Sequence, residues 1–285
     1  MGPSSPQISN LSDASPGNEG HGISLPASLG HARIAALPQT AFYIPNFISE
    51  EEEQMILDRI AAAPKPRWKQ LTHRRLQTWP SDLVKNKLLE APLPSWLDSP
   101  VVSRLLSLPV QEAHPEHIFN GSPHERPNHV LINEYPPGIG IMPHKLSTPQ
   151  VNSPRALQIL ILQQDGDAYW PVVCTVSLGA SLCLNIHRSK DDGALDPEPA
   201  WRILQEPRSL LITTEKLYTD YLHGIADIEE DIELSAKNVA NWDLLRDTDT
   251  YADGRNVRQT RTSLTYRDVL GVSKIGNKLG KFLMR

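Results

Sequence analysis

From Asn128 onward the apolar residues recur at every second position, and this alternation constrains the fold more than any other feature of the chain. Val172, Cys174, Val176 and Leu178 alternate with Val173, Thr175 and Ser177; after Gly179-Ala180-Ser181, Leu182, Leu184 and Ile186 alternate with Cys183 and Asn185. The spacing predicts a β-hairpin over 172–186 with one apolar face. Further strands fit Val130 to Glu134, Ser209 to Thr214 and Thr262 to Arg267. Many short strands separated by turn signals argue for a sandwich or jelly roll over residues 128–270.

The N-terminal half reads differently. The first thirty residues contain 16 Pro, Ser or Gly and no hydrophobic period, so residues 1–35 are expected to form a disordered tail. Ser49 through Glu52 fits a capping box, and four acids suit the positive end of a helix dipole; the helix should end before Pro64. Lys65, Arg67, Trp68, Lys69, Arg74 and Arg75 then fall in a stretch without acids, a candidate nucleic-acid contact that neutralises phosphates and stacks a base. Residues 82–110 read as partly helical. Residues 36–127 thus form a helix and lid preceding the β region, and 271–285 a basic tail. The expected class is α+β, a jelly-roll core with an N-terminal helical and lid segment.

Two cysteines cannot form a disulfide framework or a four-thiolate zinc site. No run of apolar residues approaches a membrane span. Together with an apolar fraction of 39% and a net charge of −5, this suggests an intracellular, monomeric chain of the cytoplasm or nucleus that makes no membrane contact.

Three short motifs carry the chemistry. Asn133 and Tyr135 lie two apart on a strand and share a face, with His144 following. His223 ends an apolar run at Tyr221-Leu222-His223. In Arg261-Thr262-Ser263-Leu264-Thr265-Tyr266-Arg267, strand alternation places Arg261, Ser263, Thr265 and Arg267 on one face. Two guanidiniums facing into a closed barrel are costly without an anion, and a small dicarboxylate matches them.

In this order the motifs resemble the AlkB family of iron(II)- and 2-oxoglutarate-dependent dioxygenases, and within it the branch of the sixth mammalian AlkB homologue. Tyr43 to Glu52, Pro64 to Trp68, Asn128 to Asn133, Gly140 to His144 and Glu206 to Leu210 extend the likeness across roughly residues 40–270. The resemblance implies a double-stranded β-helix, Fe(II) held by His144, a following Asp and His223, and O2 and 2-oxoglutarate as cosubstrates. It assigns Asn133, Tyr135 and Arg261 to the far carboxylate of 2-oxoglutarate, and Arg267 to its metal-chelating end; Ser263 sits between the two arginines. The implied reaction is oxidative dealkylation of a nucleic acid, releasing succinate, CO2 and an aldehyde.

The chain departs from the family pattern at the metal motif. The family has His-x-Asp, but Lys145 and Leu146 follow His144 here, and leucine cannot bind iron. Deleting Lys145 to Gln163 restores His-Gln-Asp-Gly, so residues 145–163 read as an insertion, either expressed or left by an unspliced intron. Asp165, with Gln before it and Gly after it, is the expected second ligand. The interruption leaves open an impaired AlkB-fold module that binds nucleic acid or protein, and because the family also modifies proteins, a protein-directed oxygenase is the other alternative. His187, beside a run of charged residues, is expected to cap a strand at the surface. Cys174 shares the apolar face and is expected to pack in the core.

Overall fold

The computed structural model describes residues 23, 25–37, 40–145, 168–188, 196 and 198–274. Seventeen short strands follow one another: β1 (Ala41–Ile44), β2 (Lys69–Gln70), β3 (Arg75–Trp79), β4 (Leu88–Leu89), β5 (Pro109–Gln111), β6 (His114–His117), β7 (His129–Tyr135), β8 (Ile141–Lys145) and β9 (Val172–Leu178) come first. They continue with β10 (Leu182–Arg188), β11 (Trp201–Gln205), β12 (Leu210–Thr214), β13 (Tyr221–Ile225), β14 (Glu230–Asp231), β15 (Asn256–Val257), β16 (Arg261–Arg267) and β17 (Val272–Ser273). Seven strands form a large sheet in the order β1-β12-β9-β16-β7-β3-β2, and four form a smaller one in the order β11-β10-β13-β8. Every pairing within these two sheets is antiparallel. From β7 to β10 successive strands switch sheets, and β12, β13 and β16 do so again. That is the connectivity of a double-stranded β-helix.

Strand alternation divides the large sheet into two chemical faces. Val130, Ile132, Cys174, Val176, Ile212, Leu264 and Tyr266 point outward into the main apolar core. Ile56 and Ile60 of helix α1 (Glu50–Ala61) close that core, joined by Leu97, Val101 and Leu105 from the helical turns that follow. Each fully buried aliphatic side chain contributes roughly 1.5–3 kcal/mol, so this layer is a main source of stability. The helix starts as its sequence requires: the Ser49 side chain accepts from the Glu52 amide, and the Glu52 carboxylate accepts from the Ser49 amide at 2.8 Å. Glu52 also forks onto Arg104 at 2.6 Å, tying the helix to the next layer.

Several expectations need correction. The predicted hairpin over 172–186 does not form: β9 pairs with β12 and β16, whereas β10 pairs with β11 and β13. Both strands exist, but the Gly179 turn carries the chain from one sheet to the other. Gly179 sits at φ +81°, and a Cβ there would meet the Thr260 carbonyl at 2.8 Å. Ordered structure begins well before Ala36, because Leu29, Ala32 and Ile34 are buried. These few apolar residues are too sparse to show a period, yet they pack. The lid segment is not separate from the β region, since β1, β2 and β3 are strands of the large sheet. Leu88 and Leu89 are extended and pair with β17, so the helical reading of 82–110 holds only from Ser95. The start of the C-terminal tail belongs to this ribbon; 275–285 lie outside the described residues. His187 is buried rather than capping a surface strand, and its Nδ1 donates to the Asp196 carbonyl at 2.9 Å. Cys174 is buried in the core, where burial raises its thiol pKa.

Candidate functional site

The inner face of the large sheet is polar and lines a cavity of about 110 Å³ against the smaller sheet. Register assigns its residues to rows. Arg261 lies opposite Tyr135; Ser263 lies opposite Asn133 on one side and Ser177 on the other. Thr265 follows beside Leu131 and Thr175, and Arg267 lies beside His129. Arg261 and Arg267 are six residues apart on one strand, roughly 20 Å along the backbone. The sequence-predicted Asn133, Tyr135, His144, His223, Arg261, Ser263 and Arg267 all line this single cavity.

The two histidines come from the smaller sheet. His144 on β8 and His223 on β13 are direct cross-strand partners, which puts their Cβ atoms about 5 Å apart. Gly224 permits this approach, since a Cβ there would meet the Pro143 ring at 2.8 Å. His144 Nδ1 donates to the Met142 carbonyl at 2.9 Å. His223 Nε2 donates to the Leu217 carbonyl at 2.8 Å, which places its lone pair on Nδ1. Burial holds the His223 pKa down to about 4, with positive charge at His144 and Arg267 acting in the same direction and the Leu217 hydrogen bond against it. A neutral imidazole that keeps a lone pair suits a borderline metal such as iron. Among the described residues no group of three His, Cys, Asp or Glu is arranged to hold a metal, and Asp165 lies outside them.

The anion end is more fully built. The Arg261 guanidinium is buried; its Nε donates to Ser177 Oγ at 2.7 Å and its Nη2 to Gln205 Oε1 at 3.1 Å. Gln205 belongs to β11 of the smaller sheet, so this arginine bridges the two sheets. Burial lowers its pKa to about 10, with nearby Arg258 acting in the same direction. No acid lines the cavity among the described residues, so the neutral Ser177 and Gln205 leave its charge uncompensated. That arrangement fits a carboxylate. Sequence reasoning missed Ser177 and Gln205. Ser177 could have been found from its place on the polar side of an alternating strand, but nothing in the sequence pointed to Gln205.

The basic stretch is dispersed. Arg67 stacks on Trp79 at 4.1 Å and donates to the Thr78 and Pro80 carbonyls. Arg75 forks onto Glu134 at 2.6 and 2.9 Å and stacks on Trp68 at 4.1 Å. Lys69 pairs with Asp82, and Lys65 is exposed. Arg74 turns the other way and lines the cavity.

A zebrafish protein, "Probable RNA/DNA demethylase ALKBH6", is 33% identical over 254 residues, covering 87% of this chain and 93% of that relative. The chain belongs to the AlkB family of 2-oxoglutarate-dependent dioxygenases. An Arabidopsis "Alkylated DNA repair protein ALKBH8 homolog" is 31% identical over 109 residues, 36% of this chain and 28% of that protein. No family model matches the chain. Among solved structures, OsALKBH1 aligns with a TM-score of 0.45 at 16% identity, covering 81% of this chain and 99% of that one. A 2-oxoglutarate–Fe(II) oxygenase family member from Burkholderia pseudomallei aligns with a TM-score of 0.44 at 12% identity, covering 82% of this chain and 88% of that one. As an AlkB-family member the chain is an oxidoreductase, and among its described residues no helix is long and apolar enough to cross a membrane.

Proposed function

We propose that this AlkB-family chain binds Fe(II) and 2-oxoglutarate and oxidatively removes alkyl groups from nucleic acid. The observation that carries the reading is one cavity in which a cross-strand pair of imidazoles faces the same space as a buried, uncompensated guanidinium. His144 and His223 would hold the iron together with Asp165, the carboxylate that the sequence pattern selects. When bound, the metal supplies O2 activation coupled to oxidative decarboxylation of 2-oxoglutarate.

The chain's own residues supply orientation. Arg261, held by Ser177 and Gln205, takes the far carboxylate, with Asn133, Tyr135 and Ser263 on the same wall. Arg267 serves the end nearer the histidines. The apolar rows around them, including Leu131, Leu184 and Ile225, keep water from the reacting carbon. The RNA/DNA demethylase name of the zebrafish relative supports a nucleic-acid substrate.

The test is succinate formation with alkylated oligonucleotides by the full chain and by a chain lacking residues 145–163, with Co(II) uptake followed by absorption in parallel. Metal uptake and formaldehyde release in either form support the reading. Metal uptake with no turnover on any oligonucleotide, but turnover on protein substrates, overturns the nucleic-acid assignment. Absence of metal uptake in both forms overturns the iron site.

A further inference from the structure

We infer that Arg74, which the sequence groups with phosphate contacts, is instead a third guanidinium of the dicarboxylate chamber, holding the small acid from the side opposite Arg261. This deepens the cosubstrate reading above and rests on it.

Strand parity decides where the two neighbouring arginines go. Arg75 lies opposite Glu134 and turns to the outer face; the next inward position, Leu76, lies opposite Asn133 and lines the cavity. Arg74 therefore falls in the row of Tyr135 and Arg261. It closes the tight turn between β2 and β3: the Leu71 amide donates to the Arg74 carbonyl at 2.8 Å, and Gln70 Nε2 donates to both the Leu71 and Arg74 carbonyls. Its backbone is thus fixed before any ligand arrives.

The guanidinium carbon of Arg74 lies 5.8 Å from the Tyr135 ring centre, and that of Arg261 lies 5.9 Å from the same ring. Two cations around one ring repel each other, and no acid lines the cavity among the described residues. Arg74 Nε is buried with no hydrogen-bond partner among those residues, and so is Asn133 Oδ1 in the neighbouring row. Rotating the Asn133 amide by half a turn would present its NH2 instead, an assignment that follows the ligand. A buried guanidinium donor and an amide, both lacking partners on one wall, define a place for an anionic oxygen. A phosphodiester backbone threads along an open surface. A carboxylate inside the chamber reaches both groups.

Titration calorimetry with 2-oxoglutarate on the full chain tests this, comparing Arg74→Met, Arg74→Lys and Arg261→Met. Losing one charge-assisted hydrogen bond predicts a Kd raised roughly tenfold or more in Arg74→Met. Arg74→Lys should recover part of the loss. The effect should shrink with 2-oxoglutaramate, whose far carboxylate is a neutral amide. Thermal melts matching the wild type exclude misfolding, since the methionine keeps the packing of the stem. An unchanged Kd in Arg74→Met beside lost binding in Arg261→Met overturns this inference alone. So does an effect of Arg74→Met on oligonucleotide affinity without one on 2-oxoglutarate. A wild-type chain that binds no 2-oxoglutarate overturns the cosubstrate reading and this one with it.

Discussion

Replacing Gln205 by glutamate should strengthen the fold while abolishing cosubstrate binding. Gln205 Oε1 accepts from Arg261 at 3.1 Å, so the new carboxylate arises against a guanidinium that is already buried. The Arg261 pKa, lowered from the ordinary 12.5 to about 10, corresponds to about 3 kcal/mol held against its charged form. A carboxylate partner recovers part of this, less the cost of its own burial. We expect a gain of about 2 kcal/mol, or roughly 4–8 °C in Tm, without ligand. The same charge occupies the anion position and repels a dicarboxylate, which predicts at least about a hundredfold loss of 2-oxoglutarate affinity. Calorimetry and thermal melts with and without 2-oxoglutarate read both quantities. Wild-type affinity in Gln205→Glu, or a lowered Tm together with unchanged binding, would refute the assignment of Arg261 as the anion anchor.

Three further outcomes follow from the fold. Asp231→Ala strands the buried Arg258 guanidinium, which donates to Asp231 at 2.7 and 3.1 Å, and should cost about 3–5 kcal/mol in urea denaturation. Gly179→Ala puts a methyl group 2.8 Å from the Thr260 carbonyl at φ +81° and should cost about 2 kcal/mol or more, measured the same way. Burial and the nearby Arg267 lower the His129 pKa from 6.5 to about 3, so between these values the unfolded chain binds the extra proton. Its contribution is complete above about pH 6.5 and is lost as pH falls toward 3; His129→Phe should flatten that part of the stability profile.

What the sequence reveals is local. The Ser49–Glu52 capping box needs only residues three apart, and the alternation of 172–178 and 261–267 fixes which side chains share a face whatever the strands pair with. Alternation does not name a partner, which is why Val172–Ile186 looked like a hairpin although its two strands lie in opposite sheets. Ser177 and Gln205 were missed for the same reason: Ser177 meets Arg261 from the neighbouring strand and Gln205 from the opposite sheet, 84 and 56 residues away. The basic stretch was legible as charge but not as geometry, because Glu134 and Asp82, which engage Arg75 and Lys69, come from elsewhere in the chain. The arginine that faces the cavity is told apart from its neighbour only by the parity of β3.

β8 is the last strand of the smaller sheet, paired on one side to β13 and to no other strand among the described residues. Chain added directly after it follows an edge strand, so only the ladder to β13 borders the addition, whereas β13 and β16 each carry a partner on both sides. The His-x-Asp motif of the family pattern therefore begins on an edge strand, where growth of the chain borders one hydrogen-bonded ladder rather than two. Extra sequence beside His144 thus bears on ligand geometry more directly than on the pairing of the smaller sheet.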